Sequence, residues 1–448
     1  MRSQQNFLVR LIGIAVMLAV TGVAYIRPNR VEAEVSARSL PATESLSEKD
    51  RIEVFEKVWK AVNEKYYDAS FNGVDWNALH VRYQPLIGGV KTDQEFYALL
   101  NQMLSELHDA HTHFRTPRAI EASKRQQTTS TGVSLREVEG LLAVFRVEPN
   151  SEAARAGVQP GMLVRTIDGQ PVVERLVVAR QDVEASSYAP EGLTRLRVYA
   201  RLLAGERDTA LKLGLERADK SVFEAALTRR IVSSTSKLIS NLLPSGDAYL
   251  KFDGFREGIA KEVKAVLQKF RDAPALIIDL RSNGGGEVPE MRKIASYFFN
   301  EKVFLGRGVS RTGKPISFLG GLIKIPLEAY VGEPGGQIYP KPVVILTSER
   351  TGSAAESFTA GLQENNRATV IGSQSCGCVN IFNDTIRVKG GGELQLSELG
   401  YSSPKGHKLE GLGVTPDEVV GLKLADLRQG RDAWIEAAEG FLKNAIKR

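Results

Sequence analysis

From Ser47 the segment "SEKDRIEVFEKVWKAVNEKYYD" places Ile52, Phe55, Trp59, Val62 and Tyr66 at helical spacing, with Ser47 and Asp50 as a start signal. Thr92 and Glu95 form a capping box ahead of a further helix bearing Phe96, Leu100, Met103 and Leu107. A helical block over 47–116 follows, ending in "ELHDAHTHF", with "RTPRAIEASKRQQTTST" as a polar connector. The pattern then changes. Short apolar runs alternate with turn residues (Pro149-Asn150, Gly157, Pro160-Gly161, Asp168-Gly169), and "SEAARAG" is the only short helical piece. This predicts a small β-rich module over 128–218. From 219 to 448 the texture is α/β. "GDAYLKFDGF" reads as a strand and "EGIAKEVKAVLQKF" as a helix facing inward through Ile259, Val263, Val266 and Phe270. "ALIIDL" is an apolar run of the buried-strand kind, closed by the glycine turn "RSNGGGE". "KPVVILTSERTGSAAESFTAGLQENN" repeats strand, turn and helix. Such units put chemistry at the carboxyl ends of strands.

Composition changes this picture little. At 448 residues the chain exceeds one ordinary core, and its 42% hydrophobic and 25% charged residues describe a multidomain globular protein. The formal charge of +6 is spread with acids interleaved, which gives no nucleic-acid stripe. The N-terminus changes it more. Arg2 and Arg10 precede the uncharged run "LIGIAVMLAVTGVAYI", and Val31 and Ala33 stand as the small residues of a signal-peptidase site. Residues 1–33 therefore read as a signal peptide or anchor, with a mature start near Glu34 and a linker over 34–46. The run is short for a spanning helix, so any membrane contact is expected only through this segment. Two cysteines, Cys376 and Cys378, are too few for a disulfide framework.

Ser353 follows a glycine at the junction of the strand "VVILT" and a helix carrying Phe358 and Leu362. A helix N-terminus there favours a developing anion, although a serine in that position also serves as a plain N-cap. Taken with the other motifs, the segment is less ordinary. "YYDASFNGVDW", "LHDAHTHF", "VEPNSEAARAGVQPGMLVRTIDGQPV", "GDAYLKFDGF", "IIDLRSNGGG", "TSERTGSAAESFTAGLQENNRATVIG" and "EGLGVTPD" occur in this order. From about Ser47 to Val420 the chain resembles the C-terminal processing peptidases, or tail-specific proteases, and their tricorn-core relatives.

The resemblance implies an exported serine endopeptidase that cuts polypeptides near their C-termini without a cofactor. Its fold would be a helical block, a PDZ-like domain and an α/β core of ClpP/crotonase type. It makes Ser353 the nucleophile, places the oxyanion hole at the amide of Ala354 and in the Gly285-Gly286 turn, and gives Glu356 a supporting role. Gly132, Val133 and Ser134 would form the peptide-carboxylate loop of the PDZ-like domain. Many members activate the serine with a lysine, and here Cys378 stands at that position. The tricorn-like branch uses histidine and glutamate instead, which match His111 and Glu410. Ala110 replaces that branch's serine beside the histidine, with Thr112 on the other side. A catalytically silent peptide-binding scaffold is the alternative. His108, His111 and His113 have a spacing that can converge on zinc, with only His80 and His407 remaining elsewhere. The cysteines read most simply as reduced, since residues two apart on a strand are too distant for a relaxed disulfide. Gly377 would have to supply a turn to close one.

Overall fold

Ser47 and Asp50 cap each other across the first turn of α1 (Glu48–Lys65), each backbone amide meeting the other's side-chain oxygen at 3.2–3.3 Å. Phe55, Val62 and Tyr66 on this helix are fully buried. They pack with Trp76 of α2 (Trp76–Tyr83) and with Phe96, Leu100 and Met103 of α3 (Asp93–Ser105), whose own capping box joins Thr92 and Glu95. Val388, Leu394 and Leu396, nearly three hundred residues on, complete this core. A strand, His113–Arg115, pairs antiparallel with Glu393–Gln395 and so ties the block's end to the distal chain. The computed structural model describes residues 45–124, 127–233, 238–314, 316–318, 323–325, 327–336, 338–381 and 385–446. These lie in one unit, Ser45–Arg448. The expected signal or anchor lies outside the described residues, and no described helix is long and apolar enough to cross a membrane.

The second module holds β1 (Val133–Val138), β2 (Leu141–Val147), β3 (Leu163–Ile167), β4 (Ala210–Glu216) and β5 (Val222–Thr228), in that spatial order. The sheet thus runs to Thr228, ten residues past the expected limit. It carries two helices that the apolar pattern had not predicted, α4 (Val172–Glu184) and α5 (Glu191–Leu203). Clustered valines at 172–173 and 177–178 favour strand locally. Packing of Ala179, Val183, Leu196, Val198, Tyr199 and Leu202 onto the module's core overrides that preference. β1 is one edge strand of this sheet, and α5 lies against it.

The α/β core is a six-stranded sheet in sequential order. β6 (Leu238–Leu242) pairs antiparallel with β7 (Ala248–Phe252). Then β8 (Leu276–Asp279), β9 (Val343–Thr347), β10 (Thr369–Gly372) and β11 (Glu418–Val419) follow in parallel. Parallel strands added in one direction by right-handed crossovers leave their helices on one face. Accordingly α6 (Ile259–Lys269) and α7 (Ala354–Glu364) share one apolar cluster, with Ile259, Val263, Val266 and Phe270 inward as the spacing predicts. The other face is closed by Trp434, Ala438 and Leu442 of the last helix, Ala433–Ile446. Both faces are buried, which explains why β8 and β9 are apolar up to their last residues, Asp279 and Thr347, and buried throughout.

Candidate active site

β9 ends at Thr347, and the chain reaches Ser353 at the head of α7 through a short turn. Ser353 has φ 54° and ψ −124°. The plain N-caps of this protein, Ser47 and Thr92, are extended instead, at φ −65° and −123°. A serine held in a disfavoured conformation between strand and helix is a feature of functional turns, and it argues against a mere cap. Its amide donates to Cys378 O at 2.7 Å and to Glu356 Oε2 at 3.1 Å.

The glycine turn lies against this residue. Gly285 has φ +105°, and a Cβ on it would sit 2.6 Å from Ser353 Cβ and 3.0 Å from Ala354 N. The Gly285 amide is donated to Asn283 Oδ1 at 2.9 Å. Gly286 is pressed on the Phe255 backbone, where a Cβ would come within 2.6 Å of the carbonyl oxygen. The expectation of an outward donor at Gly285 is therefore corrected: its amide is occupied. Gly284 is the glycine of this turn that lines the cavity in front of Ser353. Ala354 keeps its expected place at the first position of α7, where helical amides lack intrahelical partners.

Glu356 is fully buried. Its carboxylate accepts from Ser375 Oγ at 2.5 Å and from the amides of Gly377 (2.6 Å), Cys378 (2.9 Å) and Ser353. Burial pushes the carboxyl up to about 7 against these donors. Ser375 Oγ in turn accepts from the Val414 amide, so its proton points to Glu356. Every contact to Glu356 is a donor, an arrangement that favours the ionised form.

His111 enters from the other side, at the end of the helical block. Ligand atoms of Asp109, His111 and Glu410 all lie within 4.8 Å of one another. Asp109 accepts from the His111 amide (3.0 Å) and from Thr112 Oγ1 (2.7 Å), and Thr112 Oγ1 accepts from Ser397 N. Glu410 accepts from the amides of Val379 (2.8 Å), Asn380 (2.9 Å) and Ala110 (3.3 Å). Ala110 thus contributes through its backbone what its side chain lacks. Burial lowers the His111 imidazole below its ordinary value, with Arg197 adding to this and Asp109 opposing it. Burial, then the charge of Asp109, pushes Glu410 up to about 8. Asp109 is the residue that the sequence reading left without a role; its place two before His111 was the available signal.

His108 and His113 do not join this group. His108 is exposed, edge-on to Tyr188, and His113 lies on the strand His113–Arg115, where burial pushes it down to about 4. Among the described residues the three histidines do not converge on one point. His80 and His407 are engaged by Glu56 and Glu364.

Ala110, His111, Gly284, Gly352, Ser353, Cys376 and Cys378 line one cavity of about 360 Å³, with Leu193, Leu196, Arg197 and Ala200 of α5 opposite. No lysine lines it. Cys376 and Cys378 are joined in a disulfide, with Cα atoms 5.3 Å apart. The reduced reading is therefore corrected. The segment is not an extended strand: Gly377 at φ +73° turns it and brings the two Cα atoms into bonding range. The Gly377 carbonyl accepts from Gly411 N at 2.8 Å, which ties the bridge to the Glu410 turn. Gly132, Val133 and Ser134 lie where the edge strand β1 begins and do not line this cavity. Gly132 has φ +78° and touches Ser151 so closely that a Cβ would meet it at 2.5 Å.

Residues 247–420 match the model of peptidase family S41, and residues 47–105 match that of the tricorn protease C1 domain. A carboxyl-terminal-processing protease of Synechocystis sp. is 26% identical over 407 residues, covering 87% of this chain and 86% of the relative. The chloroplastic carboxyl-terminal-processing peptidase 2 of Arabidopsis thaliana is 24% identical over 428 residues, covering 92% and 75%. Among solved structures, the photosystem II D1 C-terminal processing protease matches with a TM-score of 0.53 at 22% identity, over 83% of this chain and 93% of that one. Mature CPAF matches with a TM-score of 0.64 at 13% identity, over 89% and 98%. The structural matches establish a shared fold.

Proposed function

The chain is a serine peptidase of family S41, a family of C-terminal processing proteases, and from that premise we propose that it is an exported endopeptidase using Ser353, His111 and Glu410. The observation that carries this reading is the meeting of Ser353, from the α/β core, and His111, from the helical block, in one cavity that no lysine among the described residues lines. Ser353 Oγ attacks the peptide carbonyl while its proton passes to His111. The C–N bond then breaks, the leaving amine takes that proton, and water hydrolyses the acyl-enzyme by the same exchange in reverse. Glu410 and Asp109 behind the imidazole stabilise its charged form. The amide of Ala354 and one in the glycine turn 284–286 beside Ser353 supply the oxyanion donors, each worth on the order of 3 kcal/mol in the transition state. The second module acts as a PDZ-like domain. An extended peptide adds to the open edge of β1, with its terminus held near Gly132, Val133 and Ser134. Export follows from the charged and apolar pattern of residues 1–33.

The test is digestion of unstructured polypeptides by the purified protein, with products mapped by mass spectrometry. Internal cuts near the C-terminus are expected. A folded protein that cuts nothing and takes no fluorophosphonate on Ser353 would instead be a peptide-binding scaffold.

Two further outcomes are expected. His111 must be unprotonated to accept the serine proton, so burial extends activity to pH values below the ordinary histidine range near 6.5. As pH rises through about 8, Glu410 ionises and steadies the imidazolium, so kcat/KM rises again. A Glu410→Gln variant measured from pH 5 to 9.5 should lack that upper rise; its persistence would remove Glu410 from the mechanism. Gly285→Ala forces a methyl group against Ser353, and a displacement near 1 Å costs about a hundredfold in rate. The fluorophosphonate labelling rate of this variant should fall by at least about that factor.

A further inference from the structure

Arg197, half-buried on α5, and Arg350, exposed, both line the cavity in front of Ser353, and among the described residues no aspartate or glutamate lines it. Arg197 Nη1 donates to Ser187 Oγ at 3.1 Å. Among the described residues no carboxylate lies within ion-pair distance of either arginine. Two arginines elsewhere in this protein show the paired alternative: Arg136 reaches Glu349 at 2.6 Å, and Arg281 is bracketed by Asp279 and Asp432. A guanidinium has five N–H donors and does not shed its proton at ordinary pH. Burial without a counter-ion therefore disfavours Arg197 until an anion arrives. Leu193 and Leu196 line the same wall and set apolar surface beside it.

We propose that Arg197, assisted by Arg350, forms a carboxylate-binding subsite beside Ser353, so that this peptidase selects substrates with an acidic group close to the bond it cuts. The proposal rests on Ser353 as nucleophile and adds the substrate's chemical class. The acid is either an aspartate or glutamate side chain or the terminal carboxylate of the chain. A planar guanidinium takes either in the same bidentate manner. The subsite also bears on rate. The Arg197 charge opposes protonation of His111 and His113. A carboxylate seated on Arg197 offsets that charge as His111 becomes an imidazolium, so an acidic substrate gains in kcat and not only in KM.

The test uses the full protein and two pairs of fluorogenic peptides. One pair exchanges glutamate for glutamine next to the scissile bond, and the other compares a free with an amidated C-terminus at the same distance. At least one acidic member should be favoured in kcat/KM by roughly tenfold to a hundredfold, the range of a charge-assisted hydrogen bond. A preference within the first pair identifies a side chain as the ligand, and within the second a chain terminus. In Arg197→Gln the ratio should fall to about one, and in Arg197→Glu it should reverse toward a lysine-bearing peptide, which a merely structural role would not produce. Arg197→Lys keeps the charge and should keep the preference, which guards against misfolding of the other two. A wild-type ratio near one in both pairs, with the peptides cleaved, overturns the proposal, as does unchanged selectivity in Arg197→Glu. Absence of both cleavage and a Ser353 fluorophosphonate adduct refutes the functional reading itself and the proposal with it.

Discussion

Replacing His111 by alanine is expected to lower peptide hydrolysis by roughly 10⁴-fold or more, as is replacing Ser353, and the two losses are not expected to add. A serine hydroxyl is a poor nucleophile until a neighbouring base takes its proton. In this cavity the candidate bases are few. The lysine position is occupied by Cys378, and its sulfur is bonded to Cys376. A disulfide has no thiolate and accepts no proton at neutral pH. Glu356 is consumed by four donors, the Ser353 amide and those of Ser375, Gly377 and Cys378. His111 remains, neutral because it is buried, with Asp109 and Glu410 behind it. The measurement is a fluorophosphonate adduct on Ser353, mapped by mass spectrometry in wild type and in His111→Ala. Loss of the adduct in the variant supports a histidine-activated serine. Undiminished labelling would move the base elsewhere and leave His111 a structural residue.

Glu356→Ala should destabilise the fold and abolish activity together. The substitution strands the Ser375 hydroxyl and the amides of Gly377 and Cys378 in a fully buried setting, while the Ser353 amide keeps Cys378 O. Each orphaned donor costs on the order of 1–3 kcal/mol, so a loss of about 4 kcal/mol or more is expected. Glu356→Gln keeps the shape and part of the acceptor capacity, and it should fall between the two. Denaturant unfolding beside kcat/KM separates the effects. A stable but inactive Glu356→Ala would mean that Glu356 acts on Ser353 alone, and a stable active one would remove it from both roles.

Much of this architecture is legible in local pattern. The capping boxes at Ser47 and Thr92, the inward face of α6 and the buried strands β8 and β9 all follow from short-range periodicity. The helices α4 and α5 do not. The valines of α4 favour strand, and both helices start at prolines with no side-chain cap, so packing on the module's core made them helical. That miss hid the wall of the cavity, and with it Arg197.

For the site the division is similar. The strand–helix junction and the turn glycines mark Ser353 in the sequence, whereas His111 and Glu410 become candidates only through the resemblance of the motifs around them to the tricorn-like branch. The oxyanion donors and the cysteine bridge were decided by tertiary structure. Asn283 takes up the Gly285 amide, and a left-handed Gly377 closes the disulfide. Local sequence determines which conformations a segment can adopt at low cost. Which amide stays open, which cation goes unpaired and which carboxylate stands behind a histidine depend on segments hundreds of residues apart. Their distances are set only when the cores are packed.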